Sequence, residues 1–403
     1  MDPVEQTYFR KGFGLKSAIE GALAGDYHSR VVDAVRSAGY ALTVGDLTFR
    51  LAREFGFCYG VDRAVEYAYE THTKFPDRRL FLVGEIIHNP HVNDKLRAMG
   101  VTTLHRPDGG EFDFGAVHAD DVVILPAFGV TVKDFERLRG IGCVLVDTTC
   151  GSVLNVWKRV DSYAKDGFTA VIHGKAYHEE TKATASQVNK YPGGKYVVVR
   201  DMGEARVVCE YIEGAGSRER FVELFASKSS PGFDPDRDLE RVGVANQTTM
   251  LSNESLAIAA EVRSSMARRY GDAALANHFR TFDTICSATQ DRQDAVLKLI
   301  ADPLDVMVVI GGYNSSNTTH LAAICQAKVP TYHIEDATCI DARTGGIRFQ
   351  PVESRIEQCR AGWLPAGTVT VGITAGASTP NNKIGETIER IAAMRGLQLD
   401  GAL

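Results

Sequence analysis

One unit of patterning recurs along the 403-residue chain. A short, continuously apolar, β-branched run gives way to a loop rich in Gly, Asn, Ser or Thr, and then to a stretch with the amphipathic spacing of a helix. "RLFLVGEIIHNPHVNDKLRAMG", "DDVVILPAFGVTVKDFERLRG" and "GCVLVDTTCGSVLNVWKRVDSYAKDG" have this form. So do "FTAVIHGKAYHEETKATASQV", "RVGVANQTTMLSNESLAIAAEVRSSMARRY", "DVMVVIGGYNSSNTTHLAAICQA" and "TVTVGITAGASTPNNKIGETIERIAAMRG". Strands that alternate with helices predict α/β domains on parallel sheets. Strands apolar on both faces are what a sheet covered on both sides requires. Ligands of such sheets bind beyond the carboxyl ends of the strands, and here those ends carry Cys, His, Asn, Ser and Thr.

Domain boundaries are weaker signals. Residues 1–47 read as an appended arm. The rest divides into α/β domains over 48–145, 146–280 and 281–403, one for each of three cysteines at a strand-to-helix seam. Residues 214–240, charged and containing Gly and Pro, read as a loop inserted into the middle domain.

Composition narrows the classes. With 44% hydrophobic residues the chain has ample core for two to four domains. A net charge of -6 argues against a nucleic-acid binder, which carries a basic stripe. No apolar run approaches the ~18 residues needed to span a bilayer. The first thirty residues contain acids and lack a continuous apolar segment, so they do not read as a secretory or transit signal. The expected location is the cytoplasm.

Eight cysteines, at 58, 143, 150, 209, 286, 325, 339 and 359, contain no C-x-x-C pair and do not have the spacing of a disulfide scaffold. Cys58 in "EFGFCYGVDRAV", Cys150 in "LVDTTCGSV" and Cys286 in "FDTICSATQDRQDA" share one setting, the end of an apolar strand-like run before a helix. Cys143, Cys209, Cys325, Cys339 and Cys359 read as small buried hydrophobes, the ordinary fate of a free thiol. Three thiolates cannot alone complete a tetrahedral structural zinc site. Three can hold a [4Fe–4S] cluster with one iron open to a ligand, whereas an electron-transfer cluster takes four.

His178 and Glu180 in "VIHGKAYHEETKAT" read as a hydrogen-bond donor beside a proton carrier; the plainer reading is a solvated helix start, where the dipole favours acids. "HNPHVN" with His88, "NQTT" with Thr248, "GGYNSSNTTH" with Ser315, Ser316 and Asn317, and "TAGASTP" with Ser378 each follow a strand and open a helix. Any one is an ordinary N-cap. Several facing one centre would form an anion site of hydroxyl, amide and imidazole donors. There is no Walker motif and no convincing dinucleotide fingerprint.

In this order, "GFCYGVDRAV", "IIHNPHVN", "DTTC", "HEET", "NQTTM", "DTIC", "YNSSNTTHL" and "TAGAS" resemble the 4-hydroxy-3-methylbut-2-enyl diphosphate reductase family, over roughly residues 48–396. The arm with "RKGFGLKSAI" is similar to the longer plant and cyanobacterial type. The resemblance implies three α/β domains in a trefoil around a central [4Fe–4S] cluster held by Cys58, Cys150 and Cys286. It implies diphosphate contacts from His88, His178, Ser315, Ser316, Asn317 and Ser378, a proton donor in Glu180, and Thr248 at the substrate hydroxyl. The implied reaction is reductive dehydroxylation of the allylic diphosphate to isopentenyl and dimethylallyl diphosphate, the last step of the methylerythritol phosphate route. Ferredoxin or flavodoxin is the implied donor, no membrane or nucleic-acid partner is expected, and a homodimer is left open. "LPAFGVTV" departs from many bacterial members, with Phe128 where they carry a His; His91 and His320 are candidates to compensate. Three other readings compete, one of which makes all eight cysteines structural and predicts a colourless protein. A three-Cys dehydratase or synthase such as quinolinate synthase would call for more Arg in the anion loops. An iron–sulfur sensor would need neither an anion pocket nor Glu180.

Overall fold

A computed structural model describes residues 7–107, 110–282 and 284–399; the ends of the expected arm and of the last expected domain, and one position of the "FDTIC" stretch, lie outside these. The strands in chain order begin with β1 (Tyr8–Phe9), β2 (Ala41–Val44), β3 (Leu47–Leu51), β4 (Leu80–Val83), β5 (Thr102–Leu104) and β6 (Val122–Leu125). They continue with β7 (Val144–Asp147), β8 (Thr169–His173), β9 (Tyr196–Val199), β10 (Val242–Asn246), β11 (Phe279–Thr281) and β12 (Val306–Ile310). The last are β13 (Thr331–Ile334), β14 (Ile340–Asp341), β15 (Gly346–Phe349), β16 (Gln358–Ala361) and β17 (Val369–Ala375).

The chain forms two compact units. The first comprises the N-terminal residues through Lys11 with Asp77–Gly84 and Val101–Cys286. It holds a five-stranded sheet in the order β1-β7-β6-β4-β5 and a four-stranded sheet in the order β11-β10-β8-β9. Both are parallel throughout. As the apolar runs require, β4, β6, β7, β8 and β10 are buried at every position.

The second unit comprises Gly12–Pro76, Glu85–Gly100 and Ser287–Leu403. Its sheet runs β13-β12-β17-β3-β2, parallel except for the antiparallel β2–β3 hairpin. A small antiparallel sheet, β14-β15-β16, is an addition that the α/β pattern does not predict. The pairing also departs from a division of the chain in sequence order. Leu47–Leu51 pairs with Val369–Ile373, so β3 belongs to the sheet of the C-terminal segment and not with β4 to β7. Burial of Leu47, Phe49 and Leu51 in one core with Val306, Val308, Val371 and Ile373 explains that choice.

Three local expectations are corrected. Residues 214–240 are not merely a loop: Ser217 caps a helix over Arg218–Phe225, which buries Phe221 and Phe225. Phe233 stacks on Phe221, and this aromatic cluster gives the segment a core of its own to join. The strand before Cys286 ends at Thr281, so the thiol stands five positions past it. Cys143, Cys209, Cys325 and Cys339 are buried, but Cys359 is exposed, because every position of the edge strand β16 faces solvent. No helix among the described residues is long and apolar enough to cross a membrane.

Candidate active site

The residues singled out from the sequence fall into one group in each unit. In the first unit β8 leads into a loop whose last residue, His178, caps the helix Glu179–Ala185. The His178 Nδ1 accepts the Glu180 backbone N–H at 3.2 Å, so the tautomer that this bond requires carries its proton on Nε2. Glu180 is only 3% exposed. Its Oε1 accepts the backbone N–H of Thr248 at 2.5 Å. The "HEET" and "NQTT" loops, 68 residues apart, therefore meet at one carboxyl group.

Behind this contact lies a network that single-residue reading does not reveal. Gln247 is fully buried. Its Oε1 accepts the Lys175 N–H and the Thr181 hydroxyl, both at 3.0 Å, and its Nε2 donates to Thr249 Oγ1 at 2.8 Å. Asn246 Nδ2 donates to the Gln247 carbonyl at 3.0 Å, and its Oδ1 accepts the hydroxyl of Thr284. Hydrogen bonds thus link the Glu180 loop to a residue two before Cys286. The only sequence signal was a run of polar residues after a buried strand, and each of them alone passes for a cap or turn.

Cys150 is the N-cap of the helix Gly151–Lys165, and Cys286 directly precedes the helix Ser287–Leu299. Ser152 donates its hydroxyl to the Cys286 Sγ at 3.4 Å, which ties the two cysteine-bearing segments together. The Cys150 turn is fixed from behind by Asp147, whose Oδ1 accepts the Thr149 N–H at 3.0 Å and the Thr149 hydroxyl at 2.5 Å. The other oxygen of Asp147 accepts the Tyr8 hydroxyl at 2.6 Å. Burial and that carboxylate push the Tyr8 phenol well above its ordinary range, so it stays a donor. Arg10 lies 3.5 Å from the same oxygen. The N-terminal arm, too short in β1 to register as a strand in the sequence, reaches the loop of a candidate ligand. Phe128 sets the edge of its ring against His178, with centroids 6.4 Å apart at 74°. It therefore packs against an imidazole that the family resemblance assigns to the diphosphate.

In the second unit Cys58 caps the helix Tyr59–Lys74, and its N–H donates to the Ala377 carbonyl at 3.1 Å. Gly56, two residues earlier, has φ +71°, and a Cβ there would press on the Thr379 carbonyl at 3.2 Å; only glycine adopts this turn without strain. The carbonyl of Gly56 accepts two bonds from the buried guanidinium of Arg292, at 2.7 and 3.3 Å. Arg292 was not anticipated, because a charged residue in a helix-like run reads as a solvated face.

His88 precedes the helix Pro90–Ala98, whose cap Asn89 accepts the Val92 N–H and whose first residue is proline. Asn93, 4% exposed, stitches this turn by accepting the Ile86 N–H at 3.0 Å and donating to the Ile87 and Asn89 carbonyls at 2.8 and 2.9 Å. Ser378 donates to the His88 carbonyl at 3.2 Å. Gly312 lies so close that a Cβ would fall 2.6 Å from that carbonyl. Ser315 caps the helix Ser316–Gln326. Asn317 Oδ1 accepts the Ala377 N–H at 2.9 Å, while its buried Nδ2 has no partner among the described residues. An orphaned amide donor of this kind costs stability unless a ligand accepts from it. The His88, Ser315–Asn317 and Ser378 loops are thus brought together at helix N-termini, where backbone N–H groups favour an anion. His91 is packed on Tyr27 and lies 3.4 Å from Asn382 Nδ2, and burial with nearby Lys383 lowers its pKa.

A fold of parallel strands with its polar chemistry gathered at strand ends and helix starts is that of an α/β enzyme. The chain belongs to the LytB protein family, whose model matches residues 49–392. A 4-hydroxy-3-methylbut-2-enyl diphosphate reductase from Gloeobacter violaceus is 49% identical over 401 residues, covering 98% of this chain and 95% of that one. The protein of the same name from Thermosynechococcus vestitus is 48% identical over 393 residues, covering 97% and 96%. A solved structure of (E)-4-hydroxy-3-methyl-but-2-enyl diphosphate reductase, called the terminal enzyme of the non-mevalonate pathway, shares 29% identity at a TM-score of 0.51. It covers 85% of this chain and 98% of its own. The E-1-hydroxy-2-methyl-but-2-enyl-4-diphosphate reductase of Plasmodium falciparum, at 20% identity and a TM-score of 0.62 with 85% and 87% covered, matches in fold.

Proposed function

We propose that this chain reduces (E)-4-hydroxy-3-methylbut-2-enyl diphosphate to isopentenyl and dimethylallyl diphosphate, the terminal step of the non-mevalonate route to isoprenoids. The observation that carries the chemistry is the buried Glu180 carboxyl group on the Thr248 N–H at 2.5 Å. In the reaction a C–O bond breaks and a C–H bond forms, two electrons and two protons are taken up, and water leaves. Glu180 supplies a proton to the departing hydroxyl oxygen, and Thr248 positions that hydroxyl. The buried Gln247 and Thr181 hold the loop so that the acid meets the substrate in one geometry.

The diphosphate is bound by neutral donors: the Asn317 Nδ2, the hydroxyls of Ser315, Ser316 and Ser378, and the imidazoles of His88 and His178. Cys58, Cys150 and Cys286 are the ligands we assign to a [4Fe–4S] cluster. Their chemistry fits, since each stands at the start of a helix, each is partly exposed, and no disulfide forms among the described residues. Ser152 adds a hydrogen bond to one such sulfur, the contact that tunes cluster sulfurs in general. A cluster bound there would supply electrons and a Lewis-acidic iron. The electrons come from an external carrier, a ferredoxin or flavodoxin.

The test is an anaerobic assay of iron-reconstituted protein with dithionite-reduced methyl viologen and the allylic diphosphate. Both five-carbon diphosphates are the expected products. Intact substrate after prolonged incubation with fully loaded protein would overturn the reading.

A further inference from the structure

A groove of about 290 Å³ in the first unit lies on the outer side of the Asn246–Thr284 contact and holds none of the residues assigned to substrate or cluster. One wall is a face of the helix Ser252–Tyr270, formed by Ser255, Leu256, Ala259, Ala260 and Arg263. The other is the segment that runs from β11 toward Cys286, with Phe282, Thr284 and Ile285. Large apolar side chains stand in the open here: Leu256 is 52% and Phe282 43% exposed. Exposed apolar surface of this kind marks interaction sites when it is contiguous. Phe282 is also held in place. Its ring stacks on the buried Tyr163 with centroids 6.3 Å apart, and the Arg159 guanidinium lies 3.9 Å from its centroid. A preset aromatic beside arginine is the composition of a binding hot spot. Among the described lining residues the charged one is Arg263.

We infer that this groove docks the electron carrier, and that the carrier is a small acidic one-electron protein. The inference rests on the cluster and function proposed above. Two observations select this occupant. The groove wall is the very segment that ends in Cys286, so a carrier seated there lies against a cluster ligand's own loop without entering the loops assigned to substrate. Arg263 in its lining and Arg159 against Phe282 are complementary to an acidic partner and would steer it. Each turnover takes two electrons, so two reduced carriers dock in succession, each giving up one electron and leaving oxidised.

The experiment compares two reductants on the iron-loaded full chain: a plant-type [2Fe–2S] ferredoxin and methyl viologen. The variants are Arg263→Glu and Leu256→Asp, both on the exposed helix face. The expected result is a KM for ferredoxin raised ~10-fold or more, as loss of a hot-spot contact gives, with viologen-driven turnover and cluster absorbance unchanged. Binding of oxidised ferredoxin should weaken in parallel. An unchanged ferredoxin KM overturns the proposal, and so does an equal loss with both reductants. Conversion of a dimer to monomer with unchanged ferredoxin kinetics would instead assign the groove to a second copy of the chain. Failure of the underlying function looks different, because the unaltered protein would then turn over with neither reductant.

Discussion

The two units handle charge in opposite ways. In the first, the functional group is itself ionisable: Glu180 is buried and accepts a short bond from a backbone N–H, with side-chain amides and hydroxyls behind it. In the second, the loops assigned to the diphosphate are tied to one another through backbone groups, and the donors assigned to the substrate are neutral. The difference follows from what each must do. A proton donor has to lose charge balance during the reaction, so it needs a fixed shell that tolerates either state. An anion that stays charged throughout is bound adequately by oriented dipoles at helix N-termini.

The largest effect should come from the thiols. Cys58→Ser should abolish iron binding and turnover as completely as Cys150→Ser or Cys286→Ser, while Cys359→Ser, exposed on an edge strand, should retain both. Full iron and sulfide in any of the first three variants removes that residue from the ligand set. Next is Glu180→Gln, which keeps the shape and the acceptor for Thr248 but has no proton to give. Turnover should fall ~10²–10⁴-fold with little change in substrate affinity, and Glu179→Gln is the adjacent control. Equal losses in the two variants would return Glu180 to a helix-dipole role.

The reverse signature is expected in the second unit. Asn317→Ala removes one donor to a charged group and should weaken substrate binding ~10–100-fold. Iron content should not change. A fall in turnover at saturating substrate, with affinity intact, would erase the contrast between the units. The smallest effect is expected at Tyr8→Phe, which deletes the bond from the arm to Asp147 behind the Cys150 turn. A loss of about 1–2 kcal/mol is expected from one partly exposed bond to a carboxylate, read from the denaturant midpoint. An unchanged midpoint would show that β1 pairs with the sheet without supporting the cysteine loop.

Much of the site was legible because it is written in local segments. The apolar runs that form β8, β10 and β12 are followed directly by the loops with His178, Thr248 and Asn317, and a strand end is where such a fold binds ligands. Cys58 and Cys150 were visible as helix starts, although β3 ends at Leu51, seven positions before Cys58, and not at the thiol as the pattern suggested. Arg292 and Ser152 were not, because a charge or hydroxyl within a helical pattern gives no hint that its partner is a loop carbonyl or a thiol more than a hundred residues away.

By itself the sequence determined the alternation of strand and helix, the parallel and buried character of the main strands, and the residue types at their ends. These depend on side-chain period and local capping, which act over a few residues. Tertiary structure alone decided that Leu47–Leu51 pairs beside β17, that two residues of the arm extend a sheet edge, and that residues 218–225 fold as a helix on an aromatic cluster. It also decided that Glu180 meets the Thr248 backbone and that Tyr8 meets Asp147. Strand partners and buried hydrogen bonds are chosen by competition among surfaces distant along the chain, and what wins is the arrangement that buries the most apolar area while leaving the fewest polar groups unpaired.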